Sequence, residues 1–122
     1  MDSSFITDSL SSFNKKGALK HGLPSVAYTS EDFFETECQT VFSNNWVFVG
    51  FVHEFNEPGD AAPITVAGQP ILLIKNVNGS INAFHNSCSH RCLKLVDEPI
   101  NVGSMLSCPY HSWTYNLDGD LC

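Results

Sequence analysis

The chain has 122 residues, 43% of them hydrophobic, and a formal net charge of −7 from six Lys and Arg against thirteen Asp and Glu. This length predicts one domain, and the composition is sufficient for a packed core. The acidic balance argues against a nucleic-acid-binding surface and suits a solvated surface. The sequence contains no apolar run long enough to span a membrane and no secretory leader, so we expect a cytoplasmic protein without a membrane partner.

The N-terminal third predicts an arm followed by one helix. Residues 1–29 are polar and Ser-rich, which is typical of a loose arm. A helix is predicted over 30–44, because Ser30 is a good cap and two acidic residues follow it at the positive helix end. Four residues with helical spacing form an apolar face that we expect to pack in the core, with Cys38 buried as a small hydrophobic residue. These residues are Phe34, Cys38, Val41 and Phe42.

Residues 45–122 predict a β domain with short strands. Alternating apolar residues and turn signals place strands at 45–52, 64–67, 71–75, 81–85 and about 112–115. A turn is predicted at 57–60, and the pairs Asn78-Gly79 and Asp118-Gly119 predict two hairpin turns. The strand at 81–85 leads directly into the most informative part of the chain.

Two short pairs of metal-ligating residues lie in that part, Cys88-Ser-His90 and Cys108-Pro-Tyr-His111, with 17 residues between them. Each pair offers one thiolate and one imidazole. Side chains two apart in extended backbone project to one face, and the proline restrains the second turn. Two such pairs suit either a single tetrahedral ion or a two-iron cluster with the cysteines on one iron and the histidines on the other.

The segments CSHR and CPYHSWTYNLDGDL resemble the signature of Rieske-type non-haem iron oxygenases, in particular the alpha subunit of aromatic-ring-hydroxylating dioxygenases and related monooxygenases. The resemblance extends back to about Leu23. It implies one Rieske [2Fe–2S] cluster, with Cys88 and Cys108 on one iron and His90 and His111 on the other. It also implies a mainly β, antiparallel, sandwich-like Rieske domain of the ISP type, with a two-loop cluster-binding tip, preceded by one short helix.

Two residues depart from the family pattern. Cys92 and Ser112 stand where the family usually has glycine, so they either take an ordinary φ or bear backbone strain. Tyr110 occupies the place of a disulfide cysteine in the high-potential Rieske proteins of respiratory complexes, and Trp113 occupies the place of a serine. The resemblance therefore implies a centre of the lower-potential, oxygenase type.

The other cysteines and histidines have plainer interpretations. We predict that His21 and His53 have no ligand role and that His85 lies beside the site without binding metal. Arg91 is a candidate to pair with a carboxylate of a partner domain. Reduced thiols are predicted for the remaining cysteines, Cys38, Cys92 and Cys122.

The resemblance implies a domain that relays electrons from a ferredoxin or flavin reductase to a mononuclear Fe(II), which activates O2. The family's catalytic His-x4-His arrangement is absent from the sequence. Only 11 residues follow His111, and the resemblance implies further strands there, so we expect residues 45–122 to be a C-terminally incomplete Rieske domain of a longer subunit. A neighbouring alpha subunit, as in a trimer, is the expected partner. The alternatives are a freestanding Rieske ferredoxin and a structural zinc module. Aromatic acids, aromatic hydrocarbons and quaternary ammonium compounds are all open as substrates.

Overall fold

The computed structural model describes residues 3–11, 13, 15–17 and 22–122, so His21 lies outside the described residues. The chain divides into two compact units, Met1–Trp46 and Val47–Cys122. None of the described helices is long and apolar enough to cross a bilayer. The first unit contains short helices, which are α1 Ser3–Leu10, α2 Val26–Thr29 and α3 Glu31–Glu37, followed by a π-helical turn at Cys38–Phe42.

One helix was expected before the sheet, whereas the described residues form three short helices and a π-helical turn there; the arm over 1–29 stays a prediction. Two helices lie inside the predicted arm. The second begins after Pro24, whose fixed φ suits a first helical turn and whose carbonyl accepts the Ala27 N–H at 2.9 Å. Ser30 confirms the predicted cap, because its Oγ accepts the Phe33 N–H at 3.3 Å. The same residue ends the preceding helix by donating its N–H to the Val26 carbonyl at 3.0 Å.

The predicted apolar face of the helix is only partly correct. Phe34 and Phe42 share a face, with ring centroids 6.4 Å apart. Phe34 is nevertheless 59% exposed and Val41 45% exposed, and Cys38 is half-buried rather than buried. The buried residue is Phe33. For Val41 the reason is the π-helical turn, whose wider spacing rotates the residues after Glu37 away from the positions that α-helical periodicity assigns to them. Phe34 lies before that turn, in the regular helix, so the turn does not account for its exposure.

The second unit consists of two antiparallel sheets, so the predicted mainly β, antiparallel fold class is confirmed. The larger sheet has the strand order β3-β2-β1-β4. Its strands are β1 Asp60–Val66, β2 Gln69–Lys75, β3 Ile81–His85 and β4 Ile100–Asn101. The smaller sheet pairs β5 Met105–Ser107 with β6 Thr114–Asn116, and Leu121 forms a further bridge to Tyr115.

The two predicted hairpin turns are confirmed, and they have the same geometry. Asn76 donates its N–H to the Ser80 carbonyl at 2.8 Å, and Asn116 donates to the Asp120 carbonyl at 3.0 Å. In each turn the glycine N–H returns to the asparagine carbonyl, at 3.0 and 3.1 Å. The Asn76 side-chain amide also donates to the Asp118 carboxylate, which joins the two turns.

The predicted strand at 45–52 is wrong. This segment forms no ladder with any strand in the described part of the chain, and it ends in a 3-10 turn at Val52–Glu54. The Glu54 carboxylate accepts the Phe51 N–H at 3.2 Å, so one backbone donor is satisfied locally. A strand-like pattern forms a strand only where a second strand supplies hydrogen bonds.

A buried cluster joins the two sheets. Three of its residues belong to the larger sheet, and the others come from the smaller sheet and the connecting loops. Leu95 packs against this cluster and also against the site described below. The cluster consists of Ala61, Leu72, Ile74, Val96, Leu106 and Leu117. The site is therefore supported by a core that both sheets build.

Candidate metal centre

The first ligand pair lies in a six-residue loop, 88–93, which we call loop 1. Cys88 begins it and donates its N–H to the Leu93 carbonyl at 2.8 Å. Cys92 donates its N–H back to the Cys88 carbonyl at 2.8 Å. These two bonds close the loop around the backbone of its first cysteine.

The second pair lies in loop 2, residues 108–113, which repeats the same frame. Cys108 donates its N–H to the Trp113 carbonyl at 2.7 Å, and Ser112 donates its N–H to the Cys108 carbonyl at 3.0 Å. Each loop thus has a cysteine first, a hydrogen bond from its fifth residue and a carbonyl from its sixth. The sequence shows two ligand pairs of unequal spacing, whereas the structure shows two copies of one backbone frame.

The fifth residue of each loop adopts left-handed backbone. Cys92 has φ 55° and Ser112 has φ 59°. Such values favour glycine, and other residues incur strain there. These are the two positions at which the chain departs from the family's glycines. Of the two alternatives predicted for them, an ordinary φ is wrong.

The two ligand thiols are buried together. Cys88 is 2% exposed and Cys108 3% exposed, in one cluster with Tyr115. The Tyr115 Oη lies 3.3 Å from the Cys88 Sγ and accepts the Ser89 N–H at 3.1 Å. A phenolic hydroxyl can accept one hydrogen bond and donate another, so Oη can donate its proton to the Cys88 sulfur when that sulfur is a thiolate.

This environment favours the thiolate, which is the form that binds metal. The Tyr115 hydroxyl is the main cause that lowers the pKa of Cys88, and the backbone N–H of His90 is the next. The Cys108 thiol and the Arg91 N–H lower the same pKa further, while burial opposes them. A buried sulfur that is already supplied with donors suits a metal ligand.

The two ligand imidazoles lie outside the buried cluster. His90 and His111 are both exposed, and their ring centroids are 4.7 Å apart at 70°. The Trp113 indole is parallel to the His90 ring within 9°, at 4.9 Å, and the Tyr110 ring centroid is 3.8 Å from that of His111. The structure therefore brings all four predicted ligands into one region, with sulfur inside and nitrogen outside.

These residues fit a mixed-ligand [2Fe–2S] group. Across residues 3–11, 13, 15–17 and 22–122, no three His, Cys, Asp or Glu side chains converge as ligands of one ion. A two-iron group does not require such convergence, because its thiolates and its imidazoles bind different irons. One buried thiol pair and one exposed imidazole pair match that division.

Two residues of the site were not identified from the sequence. Tyr115 was assigned only to a strand, and Asn86 was given no role. Asn86 is 1% exposed, donates its side-chain amide to the Val96 carbonyl at 2.7 Å, and accepts the N–H groups of Leu95 and Val96 at 3.0 and 3.1 Å. It thereby ties the entry of loop 1 to the segment that follows it. An asparagine two residues before a ligand is the only sequence signal.

The structure also locates the other histidines, the arginine and the other cysteines that the sequence analysis considered. His53 is exposed and its ring stacks on Phe51 at 5.3 Å. His85 is exposed at the end of β3, opposite Ile71 in β2. Arg91 is exposed, and its pairing with a carboxylate stays a prediction. Cys38, Cys92 and Cys122 are free thiols, as are the two ligand cysteines.

Residues 45–122 match the model of the Rieske [2Fe-2S] domain. The chain belongs to this family. The predicted resemblance and its [2Fe–2S] cofactor are thereby confirmed, and a two-iron cluster is favoured over a single zinc ion. The four individual ligands stay a prediction.

The chain is also similar to oxygenase subunits. It is 37% identical, over 101 residues, to the glycine betaine monooxygenase oxygenase subunit of Chromohalobacter salexigens. The aligned segment covers 83% of this chain and 23% of that protein. Among solved structures, a quaternary ammonium Rieske monooxygenase studied for carnitine oxidation and inter-subunit electron transfer has a TM-score of 0.73 and 35% identity, over 81% of this chain and 27% of that one. Naphthalene 1,2-dioxygenase from Rhodococcus sp. has a TM-score of 0.78 and 25% identity, over 98% and 26%. The chain thus spans about a quarter of the length of each.

Proposed function

We propose that residues 45–122 form the electron-transfer domain of the large subunit of a Rieske non-haem iron oxygenase, an oxidoreductase. Cys88 and Cys108 hold one iron of the cluster, and His90 and His111 hold the other. When bound, such a cluster supplies one-electron transfer at a potential above that of all-cysteine centres. The similarity to oxygenase subunits favours this role over a freestanding ferredoxin.

The observation that carries the proposal is the separation of the four ligands by burial. The thiols of Cys88 and Cys108 are within a few per cent of complete burial, while both imidazoles are exposed. Buried sulfur is protected from solvent and oxidants, and exposed imidazoles give partners access to one side of the site. A structural zinc site binds all four ligands to one ion, so it does not require sulfur ligands on the buried side and nitrogen ligands on the exposed side.

The partners are proposed from the oxygenase subunits that the chain resembles. A ferredoxin or a flavin reductase would supply electrons to this domain, and a mononuclear Fe(II) in the catalytic domain of such a subunit would receive them. The quaternary ammonium monooxygenase described above, studied for inter-subunit electron transfer, supports an acceptor in a neighbouring alpha subunit, and the trimer stays a prediction. We place the protein in the cytoplasm and assign it no nucleic-acid or membrane partner.

For the substrate, the relatives indicate two chemical classes. The names of two of them refer to glycine betaine and to quaternary ammonium compounds, at 37% and 35% identity. The third acts, by its name, on naphthalene, at 25% identity. We therefore propose hydroxylation or demethylation of a quaternary ammonium compound first and of an aromatic compound second. Oxygen consumption by the longer protein with glycine betaine, carnitine and naphthalene separates them.

The proposal is tested by iron and sulfide analysis with EPR of the anaerobically purified, dithionite-reduced chain. About two irons and two labile sulfides per chain are expected, with the low average g value of mixed His and Cys ligation. Zinc without sulfide would establish the structural zinc module instead.

Variants then test the individual ligands. Cys108→Ala should lose the cluster, whereas Cys122→Ala, at an exposed cysteine outside both loops, should keep it. His90→Cys or His111→Cys should lower the reduction potential of any cluster that assembles, because a thiolate adds negative charge to the reduced site. Full iron retention by Cys108→Ala, or a higher potential in both histidine variants, contradicts the ligand assignment.

A further inference from the structure

The two loops share one backbone frame but differ in the side chain of their sixth residue. In both loops this residue gives its carbonyl to the N–H of the first cysteine, at 2.8 Å from Leu93 and 2.7 Å from Trp113. The Leu93 side chain is 39% exposed, whereas the Trp113 side chain is half-buried and packs against the cluster that contains both ligand thiols. The same backbone role is thus combined with very different side chains.

The Trp113 side chain connects the two loops. Its backbone closes loop 2, while its indole lies parallel to the ring of His90 in loop 1, within 9° and at a centroid distance of 4.9 Å. On the other side of the site the sixth residue, Leu93, has no ring to stack on an imidazole, and the ring beside His111 is that of its own neighbour Tyr110, at 3.8 Å. One aromatic residue therefore links loop closure, the buried thiols and the opposite imidazole.

We propose that Trp113 is a positioning residue that fixes the His90 imidazole and locks loop 1 to loop 2 before the cluster binds. This inference rests on the proposed function. The torsion that turns a histidine ring is broad, so an exposed imidazole is poorly fixed by its own backbone. A parallel indole restricts that rotation through aromatic packing, and ligands held in place before binding retain a metal group better.

The test compares Trp113→Leu, which gives loop 2 the side chain that loop 1 has, with Trp113→Phe and with Leu93→Ala as the matched control at the equivalent position. The readouts are the rate of iron release to a chelator and the width of the EPR g values in the loaded chain. Trp113→Leu should release iron about tenfold faster and give broader g values. Trp113→Phe, with a smaller ring, should be intermediate, and Leu93→Ala should stay within about twofold of the parent.

The outcomes separate this inference from the function on which it rests. A parent chain without iron and sulfide overturns the proposed function, and the inference with it. A loaded parent with a Trp113→Leu variant of unchanged release rate and g width overturns the inference alone. So does an equal effect of Leu93→Ala, which would mean that loop closure in general is being measured. If Trp113→Leu fails to fold, Trp113→Phe decides, because faster release supports positioning and parental values overturn it.

Discussion

Replacing Cys92 or Ser112 by glycine tests whether the two ligand loops store backbone strain. Both residues have φ near 55–59°. A non-glycine residue in this conformation costs about 1–2 kcal/mol. Glycine removes that cost, but it also adds conformational freedom to the unfolded chain, which lowers the free energy of unfolding by about 0.5–1 kcal/mol. We therefore expect each substitution to raise the free energy of unfolding by about 0.5–1 kcal/mol, and the pair by about twice that, since the two loops are closed by separate hydrogen bonds.

The assay is chemical and thermal unfolding of the metal-free chain in reductant, where bound metal does not contribute. For a unit the size of Val47–Cys122, 1 kcal/mol corresponds to a shift of about 4–8 °C in Tm. Ala67→Gly is the positive control, because Ala67 has φ 50° in the turn between β1 and β2, outside both ligand loops. Ser104→Gly is the negative control, because this exposed residue lacks a positive φ and should lose stability.

This reasoning would be refuted by a loss of stability in both loop variants while Ala67→Gly gains, since the loop residues would then be held by interactions stronger than the strain.

The Cys92→Gly variant also tests the ligand assignment. It should keep its full complement of iron, and iron loss in this variant would identify Cys92 as a ligand.

Three further predictions concern the surroundings of the loops. Tyr115→Phe removes a hydrogen bond to the buried sulfur of Cys88, so the more negative reduced centre loses stabilisation. The reduction potential should therefore fall by tens of millivolts, since a tenfold change in the equilibrium constant corresponds to about 59 mV. A redox titration that shows no fall contradicts this prediction. Gly59→Ala should lower the free energy of unfolding in urea by about 2–4 kcal/mol, because the added Cβ would strike the Gly103 carbonyl oxygen. Gly68→Ala, which has a similar φ but open space around it, should lower that free energy by about 1 kcal/mol. Equal losses in the two variants would count against the steric cause. Asp60→Asn should be less stable at pH 7, because backbone and amide N–H donors hold the pKa of this carboxyl below its ordinary value. That contribution is complete above the unfolded pKa of about 4 and disappears as pH falls through the folded pKa, so a difference that stays constant down to pH 2 is the contrary result.

The parts of the fold that were predictable are those decided by neighbouring residues. Ser30 caps a helix because its hydroxyl reaches an N–H three residues later, and Gly79 and Gly119 permit tight turns with φ 86° and 90°. Each signal is contained within about five residues. The two hairpin turns were placed correctly for this reason, although their mutual contact through Asn76 and Asp118 was not foreseen.

The parts that were missed depend on distant partners. Segment 45–52 has the composition of a strand, but strand formation requires a second strand with free hydrogen-bonding groups. Val41 was assigned to the core by α-helical spacing alone, and that spacing does not reveal the π-helical turn that begins at Cys38. Tyr115 acts on a sulfur 27 residues earlier in the chain, and no local pattern records that distance.

The candidate site shows how one backbone frame presents four ligands in two environments. In both loops the cysteine comes first, where two closing hydrogen bonds hold its backbone and its thiol is buried. The histidine is the third residue of loop 1 but the fourth of loop 2, so two identical frames present their imidazoles at different points of the turn. This offset is consistent with the 70° between the rings of His90 and His111, and only the first of these rings lies parallel to the indole of Trp113. The two ligand pairs of the signature have unequal spacing, and this is what makes the two loops differ. Both sulfurs are buried at the same position of the frame, whereas the two imidazoles lie in different environments on the exposed side.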